Sequence, residues 1–241
     1  MATGNTLAAV KALTFDVFGT VVDWRQGIAH GAREILAQRG FSRDWHFFAE
    51  RWRMRYQPAM AKVRSGARPW ARLDDLHREN LLAVLKEFEI EGLDEATIDA
   101  LNRTWHRLDP WPDVVAGLGR LKLKFILAAL SNGNVALMIN LARHAGLSWD
   151  MILGAEIAGA YKPEPAVYDR AASLLDLAPG QCMMVAAHIS DLEAARRQGF
   201  RTAFVPRPEE WGPKRAATAP QKANFDVRAV NFHELAQHLG C

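Results

Sequence analysis

Short apolar runs recur along the chain, each ended by residues that cannot continue a buried strand. Lys11 to Phe18 stops at Gly19, and comparable runs follow at Phe125 to Leu130, Cys182 to Ala187 and Thr202 to Val205. Their length and lack of polar alternation predict strands buried on both faces. Helical patterns lie between them: Val135, Met138, Ile139 and Ala142 share one face before Gly146, and Val167 to Leu175 follows the turn signal Lys162-Pro163. Strands alternating with helices predict a parallel sheet covered on both sides.

The stretch from Val21 to Leu108 departs from this rhythm. It offers only helical periodicity, as in Leu81, Val84, Leu85 and Phe88, then Ile98, Leu101, Trp105 and Leu108, with Asp94 placed to cap the latter helix. Asp109-Pro110-Trp111-Pro112 makes a stiff return. The expected architecture is an α/β core formed by residues 1–20 and 109–241, with a helical cap over 21–108 inserted after the first strand.

At 241 residues and 49% hydrophobic composition, the chain can bury such a core. No stretch approaches 18 consecutive apolar residues, and Met1 to Val10 lacks the basic start and apolar run of a signal peptide. A soluble, cytoplasmic protein with no membrane partner is expected. Two cysteines, Cys182 and Cys241, make neither a disulfide framework nor a metal cage. A net charge of +3 without a block of basic residues argues against a nucleic-acid partner. Eleven arginines nonetheless fall between Val21 and Asn80. Most should solvate helix faces, and one or two could face an anionic substrate.

In an open parallel sheet, ligands bind at the carboxyl ends of the strands. Four segments predicted there carry polar groups: Asp16 with Thr20, Ser131-Asn132-Gly133, Lys162 before a helix, and His188 to Asp191. Taken singly, Asp16 could cap a turn, Ser131 and Asn132 could start a helix, and Lys162 could be a surface lysine. Set beside Asp16, an ammonium at Lys162 would keep that carboxylate ionised and nucleophilic.

Together, Asp16-Val17-Phe18-Gly19-Thr20, Leu130-Ser131-Asn132-Gly133, Tyr161-Lys162-Pro163 and His188-Ile189-Ser190-Asp191 resemble the four motifs of the haloacid dehalogenase superfamily, in order and over nearly the whole chain. The resemblance implies a Rossmann-like core with a cap, and Asp16 as a covalent nucleophile. Phosphatases of the superfamily carry a second aspartate two residues after the nucleophile, where this chain has Phe18. A phenyl ring cannot protonate a leaving alkoxide, and Asp16 and Asp191 alone make a thin oxygen cage for magnesium. The resemblance therefore narrows to the 2-haloacid dehalogenases, which need neither metal nor cofactor and convert a small anionic 2-haloacid to a 2-hydroxy acid and halide. A superfamily phosphatase and a non-catalytic small-acid-binding member are the alternative readings.

By that resemblance, Thr20, Ser131 and Lys162 orient Asp16 or bind the substrate carboxylate. Arg53, beside Trp52, receives the departing halide with Asn132; Tyr168 lines the site; Asp191 positions the hydrolytic water or Lys162; the protein is a homodimer. Ala186 and His188 stand where serine and asparagine are common. His188 reads either as a general base or as a structural donor. A further expectation is tolerance of fluoroacetate, with Arg53 and a protonated His188 as donors to fluoride.

Overall fold

The computed structural model describes residues 7–213 and 224–241. Six parallel strands form one sheet: β1 (Ala12–Phe15), β2 (Ile126–Leu130), β3 (Met151–Leu153), β4 (Cys182–Ala186), β5 (Arg201–Phe204) and β6 (Val227–Arg228), in the order β3-β2-β1-β4-β5-β6. All-parallel pairing requires helical crossovers, so both faces are covered. Leu13, Phe15, Leu127, Ala129, Met183 and Val185 join one buried layer, while Ala12, Ala128, Leu130, Cys182, Met184 and Ala186 join the other. That alternation by single residues is the pleat of a sheet buried twice. It explains why the strands read as unbroken apolar runs.

Between β1 and β2 the chain makes α1 (Trp24–Ala37), α2 (Trp45–Met54), α3 (Tyr56–Arg64), α4 (Leu73–Glu87), α5 (Glu95–Asn102), a 3-10 turn (Arg103–Arg107) and α6 (Val114–Leu121). Asp94 caps α5 by accepting from the Thr97 N–H at 2.9 Å, as its sequence position predicts. The remaining helices are α7 (Val135–Ala145), α8 (Ala155–Ala158), α9 (Pro165–Leu174), α10 (Ile189–Arg197) and α11 (Phe232–His238). Gly146 ends α7 in the left-handed conformation, φ 66°.

Three differences from the sequence reading have local causes. β1 stops at Phe15 rather than Phe18, because after a last bond to β4, from the Asp16 N–H to the Val185 carbonyl at 3.0 Å, the chain folds back, Val21 and Val22 both donating to the Val17 carbonyl. β3 and β6 lie outside the predicted runs, being three and two residues long, too short for a periodic signal. Trp105 sits in the 3-10 turn instead of an α-helix. Among the described residues no helix is long and apolar enough to cross a membrane.

Phe18 leaves β1 and inserts into an aromatic cluster of the inserted helices. Its ring meets Trp105 edge-on at 5.4 Å, Trp105 meets Trp52 at 5.6 Å, and His77 stacks on Trp105 at 4.2 Å. Edge-to-face contacts at these separations are favourable beyond the area they bury.

Candidate active site

The fold-back after β1 aims the Asp16 carboxylate out of the sheet, and each of its oxygens meets donors from another strand end. Oδ1 accepts from Lys162 Nζ at 2.9 Å. Oδ2 accepts from the Thr20 hydroxyl at 2.8 Å and faces His188 Nδ1 at 2.8 Å. Thr20 is fixed in turn by the Ala187 N–H, which donates to its Oγ1 at 2.9 Å. Lys162 also donates to Asp191 Oδ2, and Tyr168 donates its hydroxyl to Asp191 Oδ1 at 2.6 Å. One ammonium thus bridges two buried carboxylates, and the lysine precedes the helix that carries Tyr168.

Burial by itself would raise the Asp16 pKa. The Lys162 charge and the His188 hydrogen bond override it and hold Asp16 far below the usual carboxylate range. Asp191 moves the other way, raised by burial and by the Asp16 charge against the pull of Lys162. Burial opposes the charge on Lys162, but the two carboxylates win and raise its pKa. The result is an ionised carboxylate beside a more basic one, sharing a fixed cation.

Above them lies a cavity of about 140 Å³ whose walls include Asp16, Arg53, Asn132, Lys162, His188 and Asp191. Its size suits a short acid. Arg53, from α2, packs its guanidinium over the Tyr56 ring at 4.1 Å and lies 5.5 Å from the Trp24 ring. Its Nη1 is buried without a hydrogen-bond partner among the described residues. Asn132 accepts the Lys162 N–H on Oδ1 at 2.7 Å and shares the cavity wall with Tyr56. A guanidinium and an amide therefore line the cavity together with the Asp16 carboxylate.

Two expected residues sit elsewhere. Ser131 is buried, and its Oγ accepts from the Gly133 N–H at 3.0 Å, stabilising the turn that positions Asn132. Tyr168 is fully buried against Phe200 and reaches the site only through Asp191. Neither lines the cavity. The expectation that a protonated His188 assists a departing fluoride meets a difficulty, since both ring nitrogens already face carboxylates: Nδ1 faces Asp16, and Nε2 faces Glu210 Oε2 at 3.0 Å.

Glu210 is the site residue the motifs do not announce. It lies past β5, it is buried, and Trp24 Nε1 donates to its Oε1 at 2.8 Å. Gly19 makes room for it: φ is 89°, and a Cβ there would lie 2.2 Å from Glu210 Oε1. Burial opposes ionisation of Glu210, but His188 and Arg53 overcome it and lower its pKa. His188 responds in the opposite sense; burial disfavours its charge, yet hydrogen bonds to Asp16 and Glu210 raise its pKa to about 10.

A family description of haloacid dehalogenase-like hydrolases matches residues 10–199, a span that takes in Asp16, Arg53, Asn132, Lys162, His188 and Asp191, and the chain belongs to that family. Within it, similarity runs to the 2-haloacid dehalogenases. The chain is 31% identical to (S)-2-haloacid dehalogenase 1 of Pseudomonas sp. strain CBS-3, an alignment covering 95% of this chain and 96% of the relative. A solved L-2-haloacid dehalogenase has 46% identity and a TM-score of 0.92, covering 95% of this chain and 98% of its own. A solved defluorinating L-2-haloacid dehalogenase has 46% identity and a TM-score of 0.94, with 96% of each chain covered.

Proposed function

We propose that the protein is a metal-independent 2-haloacid dehalogenase acting through an aspartyl ester on Asp16, with residues 21–108 as a cap over the reaction. The observation that carries this is the Lys162 ammonium, held by both Asp16 and Asp191. A fixed cation occupies the place between the two carboxylates, and Phe18 is committed to aromatic packing instead of serving as an acid. Displacement of halide requires no proton on the leaving group, so it is the reaction this set can support.

In the first step Asp16 Oδ1 bonds to C2 as the C–X bond breaks, and its electron pair leaves on the halide. Arg53 and Asn132 receive the anion. In the second step water adds to the Asp16 carbonyl carbon and gives a proton to Asp191. The bond from that carbon to Oδ1 then breaks, Lys162 protonates the departing alkoxide and recovers its proton from Asp191. The carboxylate re-forms with the water oxygen and releases the second proton to solvent. A 2-hydroxy acid, halide and one proton result. The similarity to a defluorinating enzyme supports fluoroacetate as one substrate.

The test is halide release from 2-chloropropionate and fluoroacetate with and without EDTA, followed by a single turnover in heavy-oxygen water. Turnover should survive chelation, and the label should enter Asp16 before it enters product. Loss of activity restored by magnesium would favour phosphoryl chemistry instead.

A further inference from the structure

We propose that Glu210 is a positioning residue that keeps His188 charged, and that His188 and Thr20 form a two-donor pocket for the oxyanion that develops on Asp16 Oδ2 during ester hydrolysis. The inference rests on the dehalogenase reading above. It assigns His188 as a donor to the reacting carboxyl and excludes it as the base.

The geometry decides between these roles. A base needs a free lone pair, and each ring nitrogen of His188 points at a carboxylate oxygen, Asp16 Oδ2 at 2.8 Å and Glu210 Oε2 at 3.0 Å. A neutral imidazole carries one N–H and would set its other lone pair against a carboxylate lone pair. Only the imidazolium satisfies both. Asp16 Oδ2 also takes the Thr20 hydroxyl, while Oδ1 takes Lys162 alone. If the ester forms through Oδ1, the carbonyl oxygen left behind is Oδ2, already bracketed by two donors. Fixed donors of this kind act where charge develops in the transition state.

Glu210 becomes necessary at the moment Asp16 is alkylated. Esterification removes the Asp16 charge, and with it one of the two anions that hold the proton on His188. The other groups facing this pair are Lys162 beside Asp16, and Arg53 and Asp23 near Glu210. Among the described residues, Glu210 is the one carboxylate besides Asp16 that contacts the ring. It therefore retains the imidazolium through the second step, and the donor stays charged while the oxyanion forms. The Trp24 N–H and the space left by Gly19 hold the Glu210 carboxylate in place for this.

Glu210→Gln tests the assignment, because the amide is nearly isosteric and can still accept from Trp24. In the parent, nitrogen-15 NMR of His188 should show an imidazolium at pH 8; in Glu210→Gln the titration should move to lower pH. Rapid-quench kinetics on 2-chloropropionate should show halide release changed less than threefold and ester hydrolysis slowed by about 10²-fold. The Asp16 ester would then accumulate and be seen by mass spectrometry. His188→Gln, which keeps an uncharged donor, should show the same split and guards against a Glu210 variant that fails to fold. A neutral His188 in the parent at pH 8, or equal slowing of both steps, would overturn the proposal. Absence of halide release from the parent would end the dehalogenase reading and the oxyanion role with it, whereas the NMR titration, which needs no turnover, decides separately whether Glu210 keeps His188 charged.

Discussion

Two histidines, His188 half-buried and His77 buried, have opposite fates. His188, at the end of β4, has a carboxylate on each ring nitrogen and its pKa rises from 6.5 to about 10. His77, in α4, lies among Trp52, Tyr56 and Trp105, and neither ring nitrogen has a hydrogen-bond partner among the described residues. Burial with no paired anion drives its pKa from 6.5 to about 3. Burial disfavours the charged form in both cases, and what differs is whether anions were placed to reverse it. Around His188 the strand ends retain charge, and around His77 the aromatic rings of the inserted helices leave the imidazole neutral. The cavity takes Lys162 and His188 from beside the sheet and Arg53 with the Tyr56 ring from the inserted helices, and exclusion of water strengthens each charge-assisted contact there.

The first way to break this contrast is to remove the anion at its centre. Asp16→Asn should abolish halide release, by about 10⁴-fold or more, because a neutral amide is a poor nucleophile. The near-isosteric side chain should leave the circular dichroism spectrum unchanged. Residual activity within tenfold of the parent would mean that water attacks carbon directly.

Removing the shared cation should cost stability as well as activity. Lys162→Met leaves Asp16 and Asp191 buried without the ammonium that both contact. Breaking a buried pair in this way costs about 3–5 kcal/mol, or roughly 6–20 °C in melting temperature for a chain of this size. Thermal unfolding at pH 7 checks it. A melting temperature within two degrees of the parent would show that the two carboxylates find other partners.

Above pH 6.5 the pH dependence of stability should report the His188 side. Its folded pKa lies above the unfolded one, so its contribution is complete below pH 6.5 and is lost as pH rises through about 10. The parent should therefore lose stability relative to His188→Gln between pH 6.5 and 10. Parallel denaturation curves for the two proteins across that range would mean that the carboxylates do not hold the proton.

The two regions also differ in how far the sequence exposed them. Asp16, Lys162, Asp191 and Asn132 were legible because each follows or precedes a recognisable element and sits in a motif of fixed order, and parallel topology brings strand ends together. The sheet itself was legible in the apolar runs, except where β3 and β6 are too short to carry a pattern. Glu210 gave no such signal. It lies beyond the family match that ends at residue 199, in an irregular segment after β5, and reaches His188 only through tertiary contact. Its one trace in the sequence is Gly19, which any turn could require, and only the 2.2 Å approach of a Cβ to Glu210 explains it fully. Arg53 could be singled out among its arginine neighbours only by resemblance. In the structure Arg51 and Arg55 pair with Glu87, while Arg53 turns onto Tyr56 and the cavity.

The smallest expected effect sharpens the contrast from the aromatic side. His77→Phe replaces a ring whose nitrogens lack partners with one that has none to satisfy, inside a cluster that already accepts Phe18 edge-on at 6.3 Å. The hydrogen bond from Trp52 Nε1 ends on the His77 backbone carbonyl at 2.9 Å, so it survives the substitution. An unsatisfied buried polar group costs about 1–3 kcal/mol, and the slightly larger phenyl ring offsets part of the gain. A stability change between neutral and about +1 kcal/mol is expected, with kcat/KM for 2-chloropropionate within threefold of the parent. The acid side supplies a second readout. Because the His77 folded pKa is depressed, its contribution to stability is present above pH 6.5 and lost as pH falls towards about 3. The variant should resist acid better than the parent over that interval. Destabilisation by about 2 kcal/mol or more at pH 7, with unchanged acid sensitivity, would show that the His77 nitrogens are paired through bound water and that both regions handle charge alike.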